Sequence, residues 1–299
     1  DEWLLKQKEK HKNLKIDLTF DQNKTQNHSQ FFKKTDEAGD WEHLLPAEMG
    51  SYSVTTVTLK TMFKRYDEDW LNDTYKAFES NRAVISRRLQ QQDPTSIGNY
   101  INPSDTVSPE NPNYAAGYGP TSQDVLIPSF LAAYKGIDAS KVNLNPFRAF
   151  PLPNWKITYN GITKMKWAKK IFSNFSIRSG YGSTMQVNSF QTNFDNTEFE
   201  GATGEIPRDS LNGNNFTQFN IPSIIISESL SPLIGIDMTF KNGLTARFDY
   251  KKTRSMAMNF TDFQMIENNS ETYTLGVGYR IKGLKLPIKI KKEPVVLYN

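Results

Sequence analysis

The chain has 299 residues, and 36 lysines and arginines against 32 aspartates and glutamates give it a formal net charge of +4. Nucleic-acid binders carry a stronger basic excess, so this balance argues against that class. Aromatic residues make up 12% of the chain although its hydrophobic share is only 37%, and disordered chains are poorer in aromatics. Cysteine is absent, which excludes disulfides, thiolate nucleophiles and cysteine metal sites.

Two further segment types are disfavoured. No apolar run approaches the roughly 18 residues of a transmembrane helix. Residues 1–6 contain neither an initiator methionine nor a signal peptide, which predicts a mature or internal piece of a longer chain.

Alternation of apolar and polar side chains with period two dominates the sequence and is typical of strands with one apolar face. Seven segments carry it: residues 14–20, 52–63, 155–159, 175–187, 221–240, 244–260 and 273–281. A change of phase in the second segment predicts a bulge near Thr55 and Thr56. Asn242-Gly243, between the fifth and sixth segments, predicts a tight hairpin turn.

A helical pattern separates the second and third segments. Its first helix is marked by side chains at alternating spacings of four and three: Leu71, Tyr75, Phe78, Arg82, Ile85 and Leu89. Acidic residues at 67–69 suit its start. A shorter helix is predicted with Asp124 as its cap and Pro128 in its first turn, after a loop over 90–123. The predicted division is strands with a polar loop in 1–63, a helix-containing insertion in 64–153, and strands with loops in 154–299.

The strand segments suit either a soluble sandwich or a membrane barrel, because apolar and polar side chains alternate along the strands of both folds. Segments four to six exceed the usual five or six residues of soluble strands and suffice for the roughly 9–11 that cross a bilayer. Aromatic residues near segment ends, such as Tyr159 and Tyr250, are typical of interfacial girdles. The pattern therefore favours an all-β transmembrane fold, a sector of an antiparallel outer-membrane β-barrel with a helical loop insertion.

The two faces of the strands predict two environments. The residues predicted to face lipid are Ile236, Met238, Phe240, Phe248, Tyr250, Leu275, Val277 and Tyr279. The residues predicted to face a polar lumen are Thr245, Arg247, Asp249, Lys251, Thr274 and Arg280. Since barrels have short periplasmic turns and longer outer loops, 162–171 and 241–243 are predicted periplasmic, and 64–153 and 191–220 extracellular.

Catalytic signatures are missing from the sequence. His11, His28 and His43 lack the spacing of a helical zinc site and are interpreted as solvated loop residues. No nucleophile elbow, phosphate loop or dinucleotide fingerprint occurs. Acidic groups at 36–40 and 67–69 lack the spacing of an EF-hand. No catalytic residue, cofactor or metal ion is predicted, and the chain is not expected to be an enzyme.

Two basic stretches remain, 164–170, which contains Trp167, and 282–292. They suit contact with anionic lipid headgroups and solvated charged turns equally well.

Several stretches resemble one known family. They are Asn81-Arg82, 85–89, 125–134, 151–155, 234–244, 250–254 and 278–283. Together they resemble the SprA (Sov) family, the outer-membrane translocons of the type 9 secretion system in Bacteroidetes, which also serve gliding motility. The resemblance spans most of the chain, but none of the stretches is a catalytic signature.

The resemblance implies a sector from the carboxy-terminal half of a very large barrel. It implies a wide pore for folded cargo proteins bearing C-terminal sorting domains, with a lateral gate that holds a smaller PorV-like shuttle barrel or a plug protein. The expected partners also include the remainder of the same barrel and the lipid bilayer, but not nucleic acid. About seven predicted strands fit such a piece, because single-chain bacterial barrels use even numbers.

Two alternative functions stay open from the sequence. A TonB-dependent or porin-like transporter would share the barrel pattern, although as a complete barrel. A secreted β-sandwich binding module would share the alternation and dissolve without detergent.

Overall fold

The computed structural model describes residues 13–34, 41–64, 68, 71–197, 206–280, 284–290 and 293–297. They form mostly antiparallel β-sheet with few helices. The strands are β1 Leu14–Thr19, β2 Gln22–Lys34, β3 Trp41–Thr55, β4 Asn99–Ile101, β5 Glu110–Ala115, β6 Asn154–Tyr159, β7 Phe172–Thr192, β8 Phe219–Asn220, β9 Ser223–Phe240, β10 Leu244–Asn259, β11 Gln264–Tyr279, β12 Leu284–Ile290 and β13 Glu293–Leu297. The helices are α1 Asp73–Gln92, α2 Gln123–Lys135, α3 Ala168–Ile171 and α4 Phe194–Thr197.

The main sheet is an antiparallel meander of long strands. Its neighbours follow the order β1-β6-β7-β9-β10-β11, while β2 pairs with β3 and β3 with β7. β6 and β3 lie end to end along one edge of β7, because Trp155 pairs with Tyr181 and Thr55 pairs with Thr184. β1 and β2 likewise follow each other along β6 and β3. The Asn-Gly turn predicted between β9 and β10 is confirmed, with Gly243 at a φ of 90°.

The insertion interrupts a strand instead of joining two. The chain leaves the sheet after Thr55 and re-enters it at Asn154, where the Leu152 N–H donates a 2.9 Å hydrogen bond to the Thr55 carbonyl. Between these points α1 and α2 pack on each other and on one face of the sheet. The described residues of 56–153, which we call the insertion, therefore lie over this face without breaking the line of β3 and β6.

The core lies between the insertion and part of the sheet. Phe130 and Ile85 of the helices and Met185, Ile226 and Met256 of the strands are completely buried in it. Each such side chain contributes about 1.5–3 kcal/mol when it leaves water. The Asn72 side chain caps α1 by accepting a 2.8 Å bond from the Tyr75 N–H. Gly136 ends α2 in the left-handed region, at a φ of 63°.

Several predicted boundaries were wrong. The second segment was predicted over 52–63, but the strand runs from Trp41 to Thr55, and its register shift lies between Gly50 and Tyr52. β2 was missed because its side chains do not alternate cleanly, and it is held by pairing with β3. β11 begins at Gln264, earlier than the predicted 273.

The helix starts differ as well. α2 begins at Gln123 with Ser122 in the cap position, so Asp124 lies in its first turn and Pro128 in its second. α1 begins at Asp73, and most of the acidic segment 67–69 lies outside the described residues. Over the described part of the chain, no helix has the length and apolar character needed to cross a membrane.

Candidate functional site

The strand registers show that the long strands together form two continuous faces of one sheet. Directly paired residues in an antiparallel sheet project from the same face. One row crosses the sheet through Leu14, Tyr159, Ile177, Ile236, Phe248 and Leu275. We call the face that carries this row the apolar face and the opposite one the polar face. A bulge at 231–233 in β9 keeps Leu230 and Ile234 on the apolar face.

Half of the apolar face is covered by the insertion, and the other half has no covering layer among the described residues, so its side chains are exposed on the outer strands and mostly half-buried on the inner ones. We call the exposed half the apolar band. Its members are Leu14, Ile16, Leu18, Trp155, Ile157, Tyr159, Phe175, Ile177, Ile234, Ile236, Met238, Leu244, Ala246, Phe248, Tyr250, Tyr273, Leu275, Val277 and Tyr279. Leu275 is 76% exposed and Val277 70% exposed. A continuous apolar surface across six strands is unusual for a soluble protein.

The band is shorter than the apolar belt of a typical outer-membrane barrel. Along β10 it extends from Leu244 to Tyr250, which at ~3.4 Å per residue is about 20 Å. A strand tilt of ~40° would reduce this to about 16 Å, against the roughly 25 Å apolar belt of outer-membrane barrels.

Aromatic pairs lie at both ends of the band. Tyr250 and Tyr273 stack at 4.6 Å between centroids, and Trp155 stacks on Tyr181 at 4.5 Å, both near the insertion. At the other end Phe172 lies 4.8 Å from Phe240. Tyrosine and tryptophan favour such borders because their rings are apolar and their tips are polar.

A charged row, which we call the polar belt, separates the band from the covered half. It consists of Thr58, Thr61, Glu228, Lys252, Arg254 and Glu271. Arg254 pairs with Glu228, and their side chains are 2% and 0% exposed. Arg254 also donates to the Thr61 carbonyl at 2.8 Å, while the Thr58 hydroxyl donates to Glu228. The belt thereby fastens the start of the insertion to β9 and β10.

Four charged residues form a closed set on the polar face, which we call the Arg–Asp ring. Arg178 of β7 contacts Asp237 at 2.7 Å and Asp249 at 3.1 Å, and Arg247 contacts the same two at 3.7 Å and 2.6 Å. Gly235 lies at its centre, where an added Cβ would come 2.7 Å from the Asp249 carboxylate. With two positive and two negative charges, the ring adds no net charge to this face.

Small polar side chains continue the polar face beyond the ring. They line a shallow groove of about 420 Å³ whose lining includes Asn154, Gly182, Thr184, Ser227, Ser229, Thr253, Ser255, Asn268 and Ser270. Ile225, Ala257 and Ile266 interrupt this surface on the same face, near the end of the strands. The polar face therefore carries mainly hydroxyls, amides and balanced charges.

The predicted site residues divide between the two faces. All eight predicted lipid-facing residues lie on the apolar face, and Thr245, Arg247, Asp249, Lys251 and Thr274 lie on the polar face. Arg280 follows β11 and is exposed. Only Arg247 and Asp249 come together in the ring, whose other members were not among the predicted site residues.

The polar belt was also missed. Its sequence signal is a charge in an apolar phase: Glu228 stands between Ile226 and Leu230, and Arg254 precedes Met256. Of the histidines, His28 lies in strand β2, 3.5 Å from Glu48, and His43 lies in strand β3, so neither is in a loop. His11 lies outside the described residues, as does the acidic segment 36–40.

Burial shifts two titratable groups at the ends of α2. It raises the pKa of the Asp124 carboxyl to about 6 and lowers the pKa of the Lys135 ammonium to about 8, because both charges lose water. Each charge suits its helix end, since the dipole favours an anion at the start and a cation at the end.

Neither a metal-ligand cluster among the described residues nor a similarity to known proteins indicates another site. Within the described ranges, no group of three or more histidine, aspartate or glutamate side chains is arranged to hold a metal ion. No family model matches the chain, and no curated protein is significantly similar to it. The candidate site is therefore the two-faced sheet itself, with the apolar band, the polar belt and the polar face.

Proposed function

We propose that this chain is a sector of an outer-membrane β-barrel that conducts folded proteins to the cell surface. The observation that carries the membrane part is the apolar band, which lies opposite the Arg–Asp ring on the same strands. An exposed leucine or valine costs about 1.5–3 kcal/mol in water, and contact with lipid removes this cost. A water-filled lumen suits the polar face.

A soluble sandwich explains the band less well. A second layer would cover the whole apolar face, whereas the insertion covers only the half beyond the polar belt. The uncovered half also has the aromatic borders that are typical of strands in a bilayer.

The edges of the sheet favour a sector over a small closed barrel. Among the described residues, β11 pairs only with β10, and β1 pairs only with β6. Each unpaired backbone group in lipid costs several kcal/mol, so the two edges must pair with further strands. The remainder of the same barrel is the partner proposed for both.

Protein conduction rests on the resemblance to the SprA family and on the shape of the wall. The insertion packs on the apolar face, so it leaves the polar face open on the described strands. A polar wall without net charge at the ring would wet the pore and limit adhesion of cargo. Cargo with C-terminal sorting domains, the PorV-like shuttle barrel and the plug protein are the partners that the resemblance implies.

The sidedness of the proposal follows from the connections. The short links 160–171 and 241–243 lie at one end of the band and are assigned to the periplasm. The insertion and the described residues of 193–218 lie at the other end and are assigned to the cell surface. A cysteine placed at Leu211, which is 71% exposed, should be labelled in intact cells by a membrane-impermeant reagent, and lack of label would reverse this assignment.

Two measurements on the complete polypeptide test the function. It should fractionate with the outer membrane and shift in gel mobility on heating, which a soluble sandwich would not do. Deletion of its gene should abolish secretion of several unrelated cargo proteins, whereas loss of only one nutrient's uptake would indicate a transporter. Normal secretion in the deletion strain would contradict the proposal.

A further inference from the structure

Six exposed cations lie at the end of the apolar band that carries the short connections. They are Lys164, Lys166, Lys169, Lys170, Lys241 and Arg280. We call this group the basic rim. Four of its members belong to the link between β6 and β7, one to the turn between β9 and β10, and one follows β11.

Backbone hydrogen bonds join these three segments. The Lys241 N–H donates to the Ile171 carbonyl at 3.1 Å, and the Arg280 N–H donates to the Gly243 carbonyl at 2.9 Å. The cations therefore follow the edge of one continuous surface.

The described segments that carry the rim contain no acidic side chain. Residues 160–176, 238–248 and 272–280 contain no aspartate or glutamate. Among the described residues, none of the six cations lies within 4.0 Å of a carboxylate, whereas both arginines of the Arg–Asp ring are paired. The positive charge of the rim is thus available to an external anion.

Large apolar side chains stand among these lysines. Met165, Trp167 and Ile171 are 45%, 57% and 47% exposed, and the Trp167 ring lies 6.5 Å from Phe172 at the end of the band. A turn that meets only water gains nothing from these side chains. At a membrane border they would enter the acyl region while the lysines reach the headgroups.

We propose that the basic rim binds the phosphates of anionic phospholipids, with phosphatidylglycerol as the test lipid, in the leaflet next to the short connections. This inference rests on the proposed function, because it requires the apolar band to lie in a bilayer. Several lysines converge on one border, and each cation near an anionic membrane surface adds to the attraction. The rim would thereby set the depth of this sector.

The test places a fluorophore beside the rim. Met165→Cys in the complete polypeptide is labelled with bimane and reconstituted with brominated phosphatidylglycerol or brominated phosphatidylcholine, and the unsubstituted protein labelled in parallel gives the background. Quenching in lipid mixtures gives the relative affinity for the two headgroups. We expect phosphatidylglycerol to be preferred about tenfold, since tenfold corresponds to ~1.4 kcal/mol.

Two matched variants test whether the lysines of the rim cause the preference for phosphatidylglycerol. Replacing Lys164, Lys166, Lys169 and Lys170 with glutamine should reduce the preference to about twofold or less. The same replacement at the exposed Lys33, Lys34, Lys64 and Lys141, which lie outside the rim, should leave the preference unchanged.

The outcomes separate the inference from the proposed function. Equal quenching by both lipids, or an undiminished preference in the rim variant, would overturn the rim as an anion site while the band remains in lipid. Absence of quenching by either lipid in the reconstituted protein would overturn both. A loss of preference in the control variant would show a general charge effect and also reject the rim.

Discussion

The two halves of the apolar face differ in surroundings but not in side chains. Beyond the polar belt, Met185, Ile226 and Met256 are completely buried beneath the insertion. On the near side, Leu275 and Val277 remain largely exposed. The same strands run through both halves with the same phase. Alternation thus determines which face of the sheet is apolar, but it does not determine what covers that face. The insertion covers one half, and on our proposal lipid covers the other.

The polar belt marks the change between the halves, and breaking it should have the largest effect. Arg254→Met leaves Glu228 buried without its partner, so the free energy of unfolding should fall by about 3–5 kcal/mol. Urea unfolding of the complete polypeptide in lipid vesicles measures this loss. Limited proteolysis should cut residues 56–153 first, because their attachment to the sheet is lost.

A double variant serves as the control for the belt. Glu228→Leu combined with Arg254→Met removes both charges, and apolar replacement of a buried pair is often neutral. The double variant should recover most of the stability. If the single variant lost less than about 1 kcal/mol, the belt would not fasten the insertion.

A charged side chain should destabilise the protein when it is placed on the exposed half of the apolar face, but not when it is placed on the polar face. Leu275→Arg should reduce the folding free energy into lipid vesicles by about 2–4 kcal/mol, because the charge would enter the hydrocarbon. Thr274→Arg, one residue away on the polar face, should change it by less than about 0.5 kcal/mol. Equal effects of the two substitutions would show that the faces do not meet different media.

The covered half should show a pH dependence from Asp124. Its pKa is raised from 3.8 to about 6 in the folded state, so the folded state binds more protons between these values. Stability should therefore fall as the pH rises from about 4 to about 6, by about 1–2 kcal/mol given the partial exposure of the group. Asp124→Asn should reduce the dependence of the urea midpoint on pH between about 4 and about 6. An unchanged slope would assign the pH dependence to other groups.

Lys135 should have the opposite effect on stability, at alkaline pH. Its pKa is lowered from 10.5 to about 8 in the folded state, so the unfolded state binds more protons between these values. Stability should rise over this range as the unfolded ammonium loses its proton. Lys135→Met should remove that rise in the same titration.

The smallest effect is expected at the belt pair that has one end in solvent. Lys252 and Glu271 lie 2.6 Å apart; the lysine side chain is 14% exposed, but the carboxylate side chain is 41% exposed, and solvent weakens such pairs. Lys252→Gln should leave the urea midpoint almost unchanged. A loss as large as that from Arg254→Met would mean that this pair is also enclosed in the assembled protein.

The sequence predicted the faces better than the boundaries. Period two in β9, β10 and β11 gave the correct phase for Ile236, Phe248 and Leu275, because alternation is a local property of the chain. The end of β3 at Thr55 was missed, since Val57 and Leu59 continue an apolar pattern in a segment that instead packs beside the belt. β2 was missed because only its pairing with β3 makes it a strand.

The ring and the insertion's position depend on contacts distant in sequence. Arg178 meets Asp249 across 71 residues, and Arg254 meets Thr61 across 193. Neither spacing is visible in a local pattern. Charges in an apolar phase, as at Glu228 and Arg254, were the one local sign that part of the apolar face would be enclosed.

An accessibility scan along β11 tests the central claim most directly. The chain has no cysteine, so single cysteines at positions 273–278 can be labelled with bimane against the background of the unsubstituted polypeptide in lipid vesicles. Positions 273, 275 and 277 should be quenched by brominated lipid, and positions 274, 276 and 278 by aqueous iodide. Iodide quenching of both sets, without quenching by lipid, would contradict the account that this sheet is the wall of a membrane barrel.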